Sequence, residues 1–475
     1  MKLERYMKLL GIDFGTTSVK AQLFNESLEV LDSCLLDYTL KTSGSLVELE
    51  AEKYLSLLDT VIEKMQKEHT IDALAIDTQC ETLILTDENG TPVRDAIVWL
   101  DNRATEEAEI IEKHFTRKKV YEVTGQPEVT ATWPACKLFW VKRNEPEIWN
   151  KTKKVFLLED WLIYHLTGRF STEKTLQSSS VYFDIVNSDW WSEMLDFIGV
   201  SRDMLPELCD SGVEVGRYNG IKVVTSAMDQ VAGAIGAGVI KKGIISEMTG
   251  TTMAIYVPTD KIPDFCEDSF TPCHYSFDNS YCLLSWSPTA GMALKWFRDG
   301  FLKDISFAEL DSLAKDIPVG CDGVTFLPYL CGSTMPKYNP DARGSFTGLT
   351  TEHGPIHMAR SIMESVACIL KSNLDALGVE VDEIRVMGGG SKSPLWCQMK
   401  SDLTGKRLTT LKNSETACLG SAILAGVGSG AFSSVEDAVS LISTDKTYTP
   451  SGEDYTSVYN SFVKYDNILN VRKEN

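Results

Sequence analysis

The chain has 475 residues, and since a single hydrophobic core stops growing at roughly 250–300 residues, this length predicts two domains. A formal net charge of −21 argues against nucleic-acid or anionic-membrane partners, because both would repel the protein. The twelve cysteines are irregularly spaced, the N-terminus lacks an apolar signal segment and no uncharged apolar run could span a bilayer, so we expect a cytoplasmic protein.

The first predicted element is a β-hairpin over residues 8–24. Its tip consists of Gly15, Thr16 and Thr17. A glycine at such a tip lets backbone N–H groups approach an anion, and the hydroxyls that follow donate to phosphate oxygens. An ordinary turn has a similar composition, so one copy of the pattern is weak evidence. Asp13, just before the tip, would repel a phosphate unless a cation such as Mg²⁺ stood between them, which makes Asp13 a predicted metal ligand.

An amphipathic helix is predicted over residues 50–67, followed by a strand over residues 73–77 and a hairpin that turns at residues 88–90. Three side chains in and after this strand and hairpin provide an amide, a carboxylate and an aromatic face: Gln79, Glu81 and Trp99. Such a set suits a polyhydroxylated ligand, whose hydroxyls need donors and acceptors and whose C–H faces stack on rings. A packed tryptophan and a surface glutamate are the alternative interpretation.

Asp229 follows a predicted strand over residues 221–225 and precedes a helix rich in small residues. A carboxylate there could act as a general base that takes the proton of a substrate hydroxyl as it attacks phosphorus. Asp is also a favoured helix N-cap, so on its own the residue is more typical of a cap. Together with a phosphate-binding tip, the base is the better interpretation, and Asp229 is a second predicted Mg²⁺ ligand.

The second half of the chain repeats the hairpin pattern. Its tip consists of Gly250, Thr251 and Thr252. Two such tips facing each other could hold one polyphosphate. We place the domain boundary just before the second hairpin, which gives domains of residues 1–242 and 243–475 with one tip each.

A long core helix is predicted over residues 355–374, with Pro355 at its start and Gly378 beyond its end. A strand over residues 384–387 then leads into a glycine turn, Gly388–Gly390, and a helix capped by Ser393. A base and ribose could lie against this turn, which makes Gly389 and Ser393 candidate nucleotide contacts. A plain strand-to-helix turn would have much the same sequence.

In their order along the chain, these motifs resemble the FGGY family of carbohydrate kinases. The resemblance is carried by residues 13–17, 133–140, 226–230, 250–252 and 344–349, by a motif that runs on to Glu364, and by the Gly388 turn. It implies an α/β protein with the two-domain actin-like ATPase (ribonuclease H-like) fold, in which each domain is a mixed sheet flanked by helices. It also implies that Gly291 lies on the adenine side of the nucleotide, and that Asp229 and the adjacent Gln230 bind the acceptor substrate.

The resemblance implies ATP-dependent phosphorylation of a small sugar or polyol, with ATP and Mg²⁺ in the cleft between the domains. A ketopentose such as xylulose is the first expectation, and glycerol, erythritol and gluconate are alternatives. Glycerol kinases carry arginine where this chain has Cys80, and xylulokinases usually carry methionine and histidine at Cys80 and Glu81. A non-catalytic ATP and sugar sensor, or a chaperone-like or filament-forming ATPase of the same fold, are further alternatives. A homodimer is compatible with these expectations.

Overall fold

The computed structural model describes residues 6–267 and 271–471. Two mixed sheets form its framework. The N-terminal sheet contains, in spatial order, Glu214–Tyr218, Ile221–Thr225, Ala73–Thr78, Leu9–Phe14, Ser18–Phe24 and Val30–Asp37. The C-terminal sheet contains Cys273–Tyr275, Tyr281–Ser287, Met253–Thr259, Gly243–Thr249, Val381–Met387, Arg407–Leu411 and Thr444–Tyr448.

Smaller sheets and helices surround these two. One further sheet contains Lys41–Ser43, Leu46–Leu49, Ala96–Ile97, Leu83–Thr86 and Lys154–Leu157, and short strand pairs join Ser171–Glu173 to Glu207–Cys209, Phe183–Asp184 to Asp189–Trp190, and Thr325–Leu327 to Ser345–Thr347. The helices are Ala51–Gln66, Thr105–Phe115, Arg117–Thr124, Pro134–Asn144, Pro146–Lys151, Leu158–Thr167, Lys174–Gln177, Ser192–Ile198, Asp229–Gly236, Gly291–Phe301, Phe307–Lys315, Pro355–Leu377, Pro394–Thr404, Thr416–Ser429, Val435–Val439 and Thr456–Leu469.

The two main sheets share the pairing pattern of their central strands, although the C-terminal sheet has one strand more. In each, the first strand pairs antiparallel with the second strand of its hairpin and parallel with a later strand, Ala73–Thr78 in one sheet and Val381–Met387 in the other. Beside that later strand, both sheets have one more parallel strand and then an antiparallel edge strand. These are Ile221–Thr225 and Glu214–Tyr218 in the N-terminal sheet, and Arg407–Leu411 and Thr444–Tyr448 in the C-terminal sheet. The two glycine-threonine tips therefore occupy equivalent places in a duplicated architecture, and the expected mixed sheets flanked by helices are confirmed.

The predicted helices form with the expected buried faces. Ala51–Gln66 buries a stripe from Tyr54 to Met65, and Pro355–Leu377 ends at Gly378 in the left-handed conformation. Ser393 caps Pro394–Thr404 by accepting a hydrogen bond from the backbone of Trp396. These ends follow from local chemistry, since a capping hydroxyl satisfies a free N–H and a glycine tolerates a positive φ.

Two predicted details differ. After the turn at residues 88–90 the sequence predicts a strand over residues 96–99, but the strand ends at Ile97, because residues 99–100 form a turn. In the strand after the second tip, the sequence predicts that Met253, Ile255 and Val257 alternate with Thr252, Ala254 and Tyr256. This alternation is incomplete, since Tyr256 is also buried and its hydroxyl bonds to Ser276 at 2.7 Å. Tyr256 belongs to the same buried cluster as Met228 and Leu419, so packing from other segments covers this face of the strand at Tyr256. Within residues 6–267 and 271–471, no helix is long and apolar enough to cross a membrane.

One helix joins the two halves of the molecule. Thr416–Ser429 comes from the C-terminal half of the sequence, yet it packs on the strands Leu9–Phe14, Ala73–Thr78 and Ile221–Thr225 of the N-terminal sheet. The contact is close, because a Cβ at Gly11 would overlap the carbonyl of Cys418. The strand ends that carry the candidate site therefore rest on a helix of the other half.

Candidate active site

The first tip joins Leu9–Phe14 to Ser18–Phe24 and is held by aromatic side chains. The Tyr38 hydroxyl donates to the carbonyl of Gly15, and the Trp99 indole N–H donates to the Thr16 hydroxyl at 3.0 Å. The Gln79 amide donates in turn to Tyr38 at 3.3 Å and to Tyr54 at 3.1 Å. Thr17 is exposed. The structure thus brings Gln79 and Trp99, two of the three residues predicted to bind a polyhydroxylated ligand, next to the predicted phosphate tip.

Asp13 lies at the end of its strand within a group of carboxylates. Its strand neighbour in register is Asp77, which is fully buried and accepts a hydrogen bond from Ser421 at 2.5 Å. Burial, and then the charge of Asp229, raise the pKa of Asp13 to about 7. Lys20 opposes this shift but is itself paired with Glu415 at 2.6 Å. Clustered carboxylates with raised pKa values are the donor set that a hard divalent cation prefers.

Asp229 is the first residue of the helix Asp229–Gly236, and the cap position belongs to Met228. The carboxylate accepts from the backbone N–H of Gln230 at 2.6 Å and lies 3.7 Å from the Cys80 sulfur. Burial raises the pKa of Asp229 to about 6, with a smaller contribution from Glu81. At neutral pH the group is therefore ionised yet basic enough to accept a proton.

Glu81 adopts a left-handed backbone conformation, with φ of 60°, which is rare for a residue with a long side chain. Burial raises the pKa of its carboxyl to about 6. Its turn is held by Lys137, whose fully buried ammonium donates to the carbonyl of Val98 at 3.0 Å and to those of Glu81 and Trp99 at 3.3 Å. Burial lowers the pKa of Lys137 to about 7. One lysine thus holds both loops, those of Glu81 and Trp99, that carry residues predicted to bind the polyhydroxylated ligand.

The second tip, between Gly243–Thr249 and Met253–Thr259, lies against the start of the helix Gly291–Phe301. The backbone N–H groups of Ala290 and Met292 both donate to the Thr251 carbonyl at 3.1 Å, and a Cβ at Gly291 would lie 2.3 Å from the Gly250 carbonyl oxygen. Thr251 is exposed and Thr252 half-buried. Gly291 therefore lies directly beside the second tip, and a side chain at position 291 would displace the tip.

The glycine turn also meets this tip. Gly388 has a φ of 73°, and a Cβ there would lie 2.7 Å from the carbonyl oxygen of Thr249. Gly389 is exposed, and a Cβ added there would have its nearest neighbouring atom 4.0 Å away. The Ser393 hydroxyl accepts from Trp396 at 3.0 Å and donates to Asp311. Gly389 thus offers an open backbone surface, whereas the Ser393 hydroxyl is already engaged within the protein.

Comparison with known proteins decides the family. Residues 8–236 match the N-terminal domain of the FGGY family of carbohydrate kinases, and residues 279–429 match its C-terminal domain. The chain belongs to this family. The predicted resemblance is confirmed, and this FGGY protein is a carbohydrate kinase that uses ATP as phosphoryl donor and a small sugar-type molecule as acceptor.

The relatives of this FGGY kinase have different named substrates. It is 28% identical to a gluconokinase of Bacillus subtilis, with 97% of this chain and 96% of the relative aligned. It is 29% identical to a xylulose kinase of Escherichia coli, with 94% and 96% aligned. The solved structure of a glycerol kinase from Plasmodium falciparum with ADP superimposes with a TM-score of 0.90 at 24% identity, over 98% of this chain and 99% of that one. The actin-like fold is confirmed, whereas these relatives differ in their acceptors.

Several residues of the site are absent from the sequence-based prediction. Asp77, Asp311 and the buried pair of Lys400 with Glu247 carry no motif, and Lys137 stands out only within a family motif. A signal exists for some of them, because Asp77, Lys137 and Lys400 are charged residues inside otherwise buried segments. A charge at such a position needs a buried partner, and a sequence alone does not name that partner.

Proposed function

We propose that this FGGY kinase transfers the γ-phosphoryl group of ATP to a hydroxyl of a neutral ketose or polyol, with a ketopentose such as xylulose as first candidate. The observation that carries this proposal is the pair of partly buried carboxylates Glu81 and Asp229, close enough for the charge of Glu81 to raise the pKa of Asp229. A substrate carboxylate placed between them would be repelled. The pair therefore favours a neutral acceptor over an aldonate such as gluconate.

In this proposal Asp229 is the general base. Its carboxylate takes the proton of the acceptor hydroxyl as that oxygen attacks the γ-phosphorus, which is the one proton transfer that the reaction requires. Gln79, Glu81, Trp99 and Gln230 bind the acceptor. Trp99 also bonds to Thr16, so acceptor binding and the position of the first tip are linked.

The nucleotide is proposed to lie between the two tips, with phosphate contacts from Gly15, Thr16, Thr17, Gly250, Thr251 and Thr252. Gly291 and Gly389 contribute backbone surface on the base side, and Ser393 supports that side through its bond to Asp311. Asp13 and Asp229 would hold Mg²⁺, since both are carboxylates whose ionised forms lack a fully compensating cation. Bound there, Mg²⁺ would neutralise charge on the phosphates.

The duplicated sheet topology supports a division into domains of residues 1–242 and 243–475, each with one tip. The observed FGGY family membership disfavours the sensor and filament alternatives. Glycerol, erythritol and gluconate remain alternative acceptors to be tested alongside ketopentoses.

An ADP-release assay over ketopentoses, polyols and aldonates tests this proposal. We expect turnover with at least one neutral compound and none with Asp229→Asn, whose amide cannot accept the proton. Glu81→Gln tests whether the charge of Glu81 repels an acidic acceptor. This variant should reduce the ratio of kcat/KM for the neutral acceptor to kcat/KM for gluconate. A wild-type protein that prefers gluconate, or turnover that survives Asp229→Asn, would contradict the proposal.

A further inference from the structure

Behind the second tip, two fully buried side chains of opposite charge form an ion pair. Lys400 lies on the helix Pro394–Thr404 and Glu247 on the strand Gly243–Thr249, with 2.8 Å between Nζ and Oε2. Neither side chain has exposed surface. Removing two charges from water is costly, and such pairs are often no more stabilising than apolar residues of similar volume. Stability is therefore a weak explanation for this pair.

Thr249 completes the arrangement, which we call the Lys400 triad: Lys400, Glu247 and Thr249. The Lys400 ammonium donates to the Thr249 hydroxyl at 2.7 Å, and that hydroxyl donates to the other carboxylate oxygen of Glu247. Each partner thus fixes the others, and the Thr249 side chain has one orientation. Thr249 is the last residue of its strand and directly precedes Gly250 of the second tip.

Thr249 also contacts the Gly388–Gly390 turn, which is proposed to lie beside the adenine base of the nucleotide. Its carbonyl faces Gly388, and a Cβ at Gly390 would lie 2.7 Å from its Cβ. The helix that carries Lys400 begins four residues after this turn. The Lys400 triad therefore connects the second tip, the Gly388–Gly390 turn and the helix Pro394–Thr404 through Thr249.

We propose that Lys400 is a positioning residue for the nucleotide, holding Thr249 so that the second tip and the Gly388–Gly390 turn keep the arrangement that binds ATP. It acts through Thr249 and stays out of contact with the ligand. This inference rests on the proposed nucleotide role of the second tip. It adds to the site a residue that lies 151 positions further along the chain than the threonine it holds.

Lys400→Met tests the inference, with ATP affinity measured by calorimetry in the absence of sugar. The variant leaves Glu247 without its cation and Thr249 without its donor, so we expect ATP binding and the KM for ATP to weaken about tenfold or more. The KM for the sugar should stay near its wild-type value. A general loss of packing would instead raise the KM for ATP and the KM for the sugar together.

A double variant, Lys400→Met with Glu247→Leu, separates positioning from stability. Apolar replacement of both charges should restore the melting temperature, while the Thr249 hydroxyl still lacks both partners, so ATP affinity should stay low. Thr249→Val should reproduce the affinity loss with a side chain of the same shape. Recovery of wild-type ATP affinity in the double variant would overturn the inference, because the pair would then serve stability alone.

Lys337→Met is a control for the removal of a paired lysine outside the Lys400 triad. It removes a lysine that bonds to Asp466 at 2.9 Å on the helix Thr456–Leu469, and we expect ATP affinity to be unchanged. Wild-type affinity in Lys400→Met itself would also overturn the inference. A wild-type protein that fails to bind ATP would refute the proposed function instead, so the two failures are distinguishable.

Discussion

Gly291→Ala should impair ATP use selectively, since it adds one methyl group directly against the second tip. The new Cβ would lie 2.3 Å from the Gly250 carbonyl oxygen, whereas protein Cβ atoms essentially never approach a heavy atom closer than 3.0 Å. The tip must therefore withdraw by about 0.7 Å, the difference between these two distances. A backbone carbonyl cannot rotate away as a side chain can, so we expect an overpacking cost of about 1–3 kcal/mol.

The displacement falls on the residues proposed to hold the phosphates. Because misplacement of a positioning group by about 1 Å can cost on the order of 10²-fold in rate, we expect kcat/KM for ATP to fall by about that factor. The KM for the sugar should change little. Steady-state kinetics with each substrate varied in turn measures both effects.

Gly300→Ala provides the matched control on the same helix. A Cβ at Gly300 meets nothing within 4 Å, so the identical substitution there should leave kinetics unchanged and stabilise the helix by about 0.5–1 kcal/mol. Wild-type kinetics for Gly291→Ala would refute the reasoning, because the tip would then tolerate displacement. Equal losses for ATP and sugar would refute it as well, since the effect would not be local to the tip.

Three further outcomes follow from the site. Burial and the charge of Glu81 raise the pKa of Asp229 to about 6, and a base must be ionised to act, so kcat/KM for the sugar should fall as pH drops below about 6. Glu81→Gln should move this fall to lower pH. A pH profile that the substitution leaves unchanged would contradict the coupling between the two carboxylates. Lys137→Met leaves one buried and two partly buried carbonyls without their donor. It should lower the free energy of unfolding in urea titrations by about 3 kcal/mol and raise the KM for sugar, but should leave the affinity for ATP unchanged. Chelation of divalent cations by EDTA should abolish turnover and added Mg²⁺ should restore it, whereas full activity in EDTA would remove the metal role of Asp13.

Much of the fold could be predicted from local patterns. Hairpin alternation, the amphipathic stripe of Ala51–Gln66 and the capping residue Ser393 each depend on neighbours a few positions away, so the sequence displays them directly. The strand end at Ile97 and the burial of Tyr256 could not be predicted in this way, because both depend on segments that pack on these strands from elsewhere in the chain.

The candidate site shows the same division. Asp13 and both tips stand out because they lie at strand ends, and Asp229 stands out because it begins the helix that follows a strand, each within a recognisable motif. The contacts that give the site its chemistry are long-range: Trp99 reaches Thr16, and Lys137 binds two separate loops. Such partners are fixed by tertiary packing, which no short pattern contains.

The helix Thr416–Ser429 has a practical consequence for anyone who wishes to divide this molecule. A fragment that stops at residue 242 would leave the apolar underside of the N-terminal sheet facing water, including Leu9, Ala75 and Val224, which belong to the same buried cluster as Leu419 and Ile423. Such a fragment should aggregate when produced alone and recover solubility when the remaining polypeptide is co-expressed.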